Sequence, residues 1–274
     1  MFGKVDEHPP DWLDRLRTAP EMTVAVVGGS GRLGSWLTYF LASAGHRVRV
    51  VDTVAPLPAE RVSFHRCDLL DGKALRNALA GCTQVCHLAA LHGAHLVAGT
   101  SRSEIWNTNV LGTQHILEAA TETNQVVLAS SMSVYGSGTP AGMPARVLTD
   151  DTEPSPEDVY DLSKLAAERL MLRYGPRRSI ALRFGRFFYP SQVDYQMRKL
   201  STGVDVRDAC QAIALALLAP APPRPIYCVA SDLPLPDPDR AQLGLDAVAV
   251  LRRHLPGLVE ELDSRQLPIP ARVG

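Results

Sequence analysis

Apolar positions along this chain fall into two alternating rhythms. Short continuous runs (Val24 to Val27, Val48 to Val51, Val62 to Phe64, Gln84 to Leu88, Val126 to Ser130, Ser179 to Phe184) read as strands, the first run and Gln84 to Leu88 as buried ones. Between them, helical spacing predicts helices over Ser35 to Ala44, Lys73 to Ala80, about Ser103 to Thr121 and about Glu157 to Tyr174. Strands alternating with helices predict an α/β fold built on a doubly wound, mostly parallel sheet. Further on, Val206 to Leu218 reads as a helix with a buried face and Ile226 to Val229 as a short strand in the proline-punctuated stretch Pro220 to Pro238. Ala241 to His254 reads as a final helix. Pro9-Pro10-Asp11 starts a short helix through Leu16. The expected division is an arm over 1–21, a core over 22–185 and a small substrate-binding lobe over 186–274, interleaved with the last sheet elements. The Gly- and Pro-rich stretch Ser137 to Asp150 is long enough to cover a site.

The first strand runs into Gly28-Gly29-Ser30-Gly31-Arg32-Leu33-Gly34 and a helix follows. Glycines at such a turn let the backbone approach a pyrophosphate resting on the helix N-terminus. Two registers overlap, Gly28, Gly31, Gly34 and Gly29, Gly31, Gly34. The next strand ends in Asp52, placed to accept hydrogen bonds from an adenosine ribose. The N-terminal half therefore reads as a Rossmann-like dinucleotide-binding unit. Asp52 favours NAD by repelling a 2′-phosphate, while Arg32 in the turn leaves NADP open.

Composition narrows the partners. A formal net charge of −1 argues against nucleic acid, and no apolar stretch has the length of a membrane span. The five cysteines are scattered, as suits reduced thiols in the cytoplasm, and no metal-ligand spacing is present.

The candidate chemistry sits after the strand Val126 to Ser130, where Ser130-Ser131-Met132-Ser133 brings hydroxyls to the carboxyl edge of the sheet. The next helix carries Tyr160 and Lys164, four apart and on one face. An ammonium beside a phenol lowers its pKa, which fits it to exchange a proton with an alcohol or ketone as hydride moves to or from a nicotinamide. Ser131 would hold the reacting oxygen.

Several motifs in order resemble the extended short-chain dehydrogenase/reductases, the NAD-dependent epimerase/dehydratase family, over about residues 22 to 230. They are the glycine turn, Cys67-Asp68-Leu69, Val85 to Ala90, Asn109-Val110-Leu111-Gly112-Thr113, Ser130 to Gly136, Tyr160 to Glu168, Leu182-Arg183 and Val204 to Asp208. The resemblance implies that Ser131, Tyr160 and Lys164 are catalytic and that Lys164 also touches the nicotinamide ribose. It implies cofactor contacts from Gly28, Ser30, Gly31, Arg32, Leu33, Gly34 and Asp52, from Asp68 and Leu69 around the adenine, and from Leu88, Ala89, Ala90 and Asn109. His87 is expected to be a structural core histidine. Pairing through the helices at about 103–121 and 157–174 would make a homodimer.

Departures from the family pattern narrow the activity. Met132-Ser133 stands where sugar dehydratases carry an Asp-Glu pair, so elimination of water lacks its acids. Few residues separate Pro190 from Asp205, which leaves little protein to grip a nucleotide-sugar. The short form is similar to uronate dehydrogenases, whose Arg-x-Leu-Ser-Thr stretch matches Arg198 to Thr202. There the Arg clamps a sugar carboxylate. A solvated surface arginine is an equal account of Arg198. Leu91, Met132, Ser133, Phe184 and Arg198 are the candidate substrate contacts. The expected function is an NAD(P)-dependent oxidoreductase acting on a small sugar-like molecule. The alternatives are a nucleotide-sugar epimerase or 4-ketosugar reductase, and a dinucleotide sensor without catalysis.

Overall fold

A computed structural model describes residues 11–120, 122–136, 148–188, 203–220 and 224–230, together with Ala249, Arg253 and Glu260. The expected helix Ala241 to His254 apart from Ala249 and Arg253, the stretch around Arg198 and most of the stretch Ser137 to Asp150 lie outside the described residues.

Nine strands and eight α-helices can be followed through the described residues: α1 (Asp11–Thr18), β1 (Thr23–Val27), α2 (Arg32–Ser43), β2 (Arg47–Asp52), β3 (Val62–Arg66), α3 (Gly72–Leu79), β4 (Gln84–His87), α4 (Gly93–Val97), α5 (Arg102–Trp106), α6 (Gly112–Ala119), β5 (Gln125–Ser131), α7 (Val159–Tyr174), β6 (Ile180–Phe184), β7 (Arg186–Phe188), β8 (Gly203–Asp205), α8 (Val206–Leu218) and β9 (Ile226–Val229). Seven strands form one sheet in the order β3-β2-β1-β4-β5-β6-β9, and every pairing in it is parallel. The order reverses between β1 and β4, which opens a crevice at the carboxyl edge. β7 and β8 form a separate parallel pair.

Alternation along single strands builds both faces. Val24 and Val26 enter a core with Trp12, Leu16, Leu37, Phe40, Ile213 and Leu217, so α1, α2 and α8 cover that side. Ala25 and Val27 enter a second core with Leu75, Ile116, Ala167 and Met171, so α3, α6 and α7 cover the other. The short N-terminal helix is thus a packed part of the fold. Arg49 reaches away from the crevice, donating to the Ala78 and Ala80 carbonyls at 2.9 and 2.7 Å at the end of α3.

One expectation is corrected here. The helix read as unbroken over 103–121 contains a π-helical turn, Asn107–Leu111, between α5 and α6. Such a turn inserts a residue and re-aims the side chains around it, which apolar spacing does not reveal. Among the described residues no helix is long and apolar enough to cross a membrane, and no cluster of side chains has metal-ligand composition.

Candidate active site

At the end of β1 the chain turns through Gly28, whose φ of +83° is left-handed. A Cβ there would lie 2.6 Å from the Ala89 nitrogen. The approach is enforced from the other side, because the Leu88 and Ala89 amides both donate to the Val27 carbonyl, at 2.9 and 3.0 Å. A Cβ on Gly34 would overlap the Gly28 carbonyl oxygen. Gly28 is therefore the turn glycine, and Gly29 is packed as closely, since a Cβ there would lie 2.9 Å from the Val26 carbonyl oxygen. Gly31 is the N-cap of α2 and has no side chain to cap it, so the positive end of the helix opens onto the turn. Asp52 closes the far side: its carboxylate accepts the Ser30 amide at 3.0 Å and the Val54 amide at 3.1 Å. The Ser30 hydroxyl donates to the Val54 carbonyl. Arg32 opens α2, and Leu33 is buried under it. A turn that admits no side chain, a helix N-terminus and an acid at the next strand end fit a pyrophosphate-linked dinucleotide.

On the same sheet edge, Ser131 ends β5 and accepts the Ser133 amide at 3.1 Å. Its hydroxyl lies near enough to the Tyr160 phenol to favour the phenolate. α7 starts from a reciprocal cap in which Asp158 accepts the Asp161 amide at 2.9 Å and Asp161 accepts back. That start sets Tyr160 in the first turn and Lys164 one turn later. Lys164 is buried, and its Nζ donates to the Ala129 carbonyl at 2.8 Å.

The pKa expectation for Tyr160 is also corrected. Burial pushes the phenol above its ordinary value, against the lowering effect of the nearby Ser131 hydroxyl, and Asp161 and Asp158 push it further up. Lys164 does not reverse this, since its Nζ stands 6.0 Å from the ring centroid and is turned to the strand. Burial pushes Lys164 itself down from 10.5 to about 8, and Glu168 raises it.

Asn109 lies on the π-helical turn and its amide is engaged within the protein. It accepts the Leu91 amide at 2.9 Å and donates to the Leu91 carbonyl and the Ser163 hydroxyl, both at 2.8 Å. Ser163 donates in turn to the Tyr160 carbonyl at 2.7 Å. Asn109 thus braces the segment after β4 against the helix that carries Tyr160. His87 is a core histidine. Thr113 gives its hydroxyl proton to the Asn109 carbonyl at 2.6 Å, so His87 Nε2 donates to Thr113 at 2.9 Å. Its Nδ1 is buried without a hydrogen-bond partner, and burial followed by the charge of Lys164 pushes its pKa down to about 3.

The remaining expected contacts scatter in character. Asp68 is exposed and its carboxylate takes the Leu70 amide at 2.9 Å, whereas Leu69 is buried against Gly112. Ala90, Leu91, Met132 and Ser133 are half-buried, and the Ser133 hydroxyl is buried without a partner. Phe184 sits in the core, its ring 5.3 Å from that of Phe187. Arg198 lies outside the described residues. The structure adds three residues to which the sequence reading assigned no role, Glu168, Arg183 and Tyr135, which form a buried network behind Ser131. The pairing of Glu168 with Arg183 crosses two elements and carries no local sequence signal.

A seven-stranded parallel sheet with a glycine turn at β1 and a Ser-Tyr-Lys group at the same edge defines a dinucleotide-binding protein of the short-chain dehydrogenase type. The chain belongs to the NAD dependent epimerase/dehydratase family, which it matches over residues 24–199. It is 33% identical over 161 residues to the 3β-hydroxysteroid dehydrogenase/Δ5→4-isomerase of monkeypox virus, an overlap of 54% of this chain and 45% of that one. Among solved structures it is similar to uronate dehydrogenase from Agrobacterium tumefaciens, with a TM-score of 0.64, 25% identity and 77% of both chains covered. It is also similar to MoeE5 in complex with UDP-glucuronic acid and NAD, with a TM-score of 0.64, 26% identity and coverage of 83% and 82%. The chain spans 35% to 45% of the length of the first curated relatives it matches.

Proposed function

We propose that this chain is an NAD-dependent oxidoreductase that interconverts an alcohol and a ketone, or a hemiacetal and a lactone, on a small sugar-like substrate. The observation that carries the reading is the meeting of Ser131, at the end of β5, with Tyr160 in the first turn of α7, with Lys164 one helical turn on and the glycine turn at the same sheet edge. The turn at Gly28, the N-terminus of α2 and Asp52 would hold the dinucleotide, with Asp52 favouring NAD over its 2′-phosphorylated form. Bound there, the nicotinamide supplies the acceptor or donor of hydride.

The protein's own share is proton transfer and placement. Ser131, its Oγ oriented by the Ser133 amide, holds the reacting oxygen. Tyr160 takes the hydroxyl proton during oxidation and returns it during reduction. Burial favours the protonated phenol, which suits Tyr160 to give its proton to a carbonyl oxygen, while the Lys164 ammonium stands 6.0 Å from the ring. The unpartnered Ser133 hydroxyl is a substrate-facing candidate beside Met132 and Leu91. Exposed Trp106 and Leu172, on α5 and α7, support association of two copies through those helices.

The second reading, a nucleotide-sugar epimerase, is supported by the likeness to a protein solved with UDP-glucuronic acid and NAD. One assay separates them. The protein is incubated with NAD or NADP and with glucuronate, galacturonate, UDP-glucuronic acid or UDP-glucose, while reduced nicotinamide is followed in the near ultraviolet and sugar products by chromatography. Net reduction with a free sugar acid supports the proposal, and an epimer without net reduction supports the second reading. NAD binding with no turnover of any of them contradicts both and leaves a sensor.

A further inference from the structure

Behind the strand end that presents Ser131 lies a buried ion pair to which proton transfer assigns no part. Glu168 on α7 is 1% exposed and Arg183 on β6 is 3% exposed. Arg183 grips the carboxylate with two bonds, Nε to Oε1 at 2.9 Å and Nη2 to Oε2 at 2.7 Å. The Ser130 hydroxyl donates to Oε1. On its other side Arg183 donates from Nη1 to the Tyr135 hydroxyl at 2.7 Å, and its guanidinium lies 5.0 Å from the centroid of that ring. Ser130 and Tyr135 flank Ser131 in the chain, so one ion pair holds the hydroxyl-bearing edge at both ends.

Stability alone is a poor account of such a pair, because apolar residues of similar volume often stabilise a core as well or better. Its placement offers another account. Glu168 follows Lys164 by four residues on α7, on the same face of the helix. We propose that Glu168, clamped by Arg183, is a positioning residue of the active site: its carboxylate fixes the strand end that presents Ser131 and is the counter-charge of the buried Lys164 ammonium.

The other groups around Lys164 leave that part to Glu168. Tyr160 faces it from α7, His87 from β4 and His92 from the turn before α4, and burial disfavours the charged form of all three. β5 contributes the Ala129 carbonyl and the uncharged hydroxyls of Ser130 and Ser131. The direction agrees: Glu168 raises the Lys164 pKa against burial.

The inference rests on the catalytic reading of Ser131, Tyr160 and Lys164, yet its test requires no turnover. The chain has four lysines, Lys4, Lys73, Lys164 and Lys199, so isotope-labelled lysine gives a spectrum simple enough to titrate by NMR, with Lys164→Met assigning the signal. Lys164 is expected to titrate at about 8 in the wild type. In Glu168→Gln it should titrate about one pH unit lower or more, and Glu168→Asp should restore part of the shift. If Glu168→Gln does not fold, Glu168→Gln/Arg183→Met removes both buried charges and should still lower the titration. A folded variant, checked by circular dichroism, in which Lys164 titrates as in the wild type overturns the proposal. A shifted titration in a protein that binds NAD but turns over no substrate would leave the charge coupling standing while the catalytic reading falls.

Discussion

The amide of Asn109 donates to the hydroxyl of Ser163 at 2.8 Å and so ties the π-helical turn to the helix that carries Tyr160 and Lys164. The same amide clamps both polar backbone groups of Leu91, so one side chain sets the spacing between the segment after β4 and α7. Asn109→Ala removes the side-chain partner of both part-buried Leu91 backbone groups and of the Ser163 hydroxyl. It should cost roughly 2–4 kcal/mol in urea unfolding and lower kcat more than it raises the KM for NAD. An unchanged unfolding midpoint would show that Asn109 braces nothing.

Close packing at the cofactor turn makes a sharper prediction. Gly28→Ala places a methyl 2.6 Å from the Ala89 nitrogen at a left-handed φ of +83°. NAD affinity measured by calorimetry should fall about tenfold or more, since about 1.4 kcal/mol of strain suffices for that. Gly45→Ala is the contrasting variant. Its φ of +96° is also left-handed, but a Cβ there meets nothing within 4 Å. It should lose stability and keep its NAD affinity.

Asp52 decides between the two dinucleotides in this account. Its carboxylate is held toward the turn by the Ser30 and Val54 amides. The wild type should bind NAD more tightly than NADP, and Asp52→Asn should narrow that preference by about tenfold, mostly through better NADP binding. Equal affinity of the wild type for both would contradict the role given to Asp52.

His87 makes the stability depend on pH. Its pKa is held at about 3 in the folded chain against an ordinary 6.5. Between those values the unfolded chain binds a proton that the folded chain does not. Stability should therefore fall as pH drops from 6.5 toward 3, with no further contribution from this group below that. Urea unfolding across this range should show a shallower decline in His87→Gln than in the wild type. Parallel curves would place the imidazole in contact with water.

Much of this fold was legible because buried parallel strands announce themselves as continuous apolar runs. The helix Val206–Leu218 and the strand Ile226–Val229 end where the pattern predicts. The glycine turn and the Tyr160–Lys164 spacing are local, so they too can be read along the chain. The π-helical turn at Asn107–Leu111 cannot, because the partners of its Asn109, Leu91 and Ser163, are distant along the chain. Nor does spacing give the charge balance at Tyr160. Four residues bring a lysine near, but only the fold shows its ammonium spent on the Ala129 carbonyl and the phenol raised by burial. The Glu168–Arg183 pair is a contact between α7 and β6, beyond what any one segment reveals.

In the proposed reaction the phenol of Tyr160, beside Ser131, moves the proton while hydride moves on the dinucleotide. The most direct measurement compares Tyr160→Phe with the wild type in NAD affinity and in turnover of whichever sugar substrate the wild type accepts. Removing one hydroxyl should leave NAD affinity within about twofold and lower kcat by roughly a hundredfold or more. Retained kcat in Tyr160→Phe, with the protein folded and NAD bound, would contradict the account.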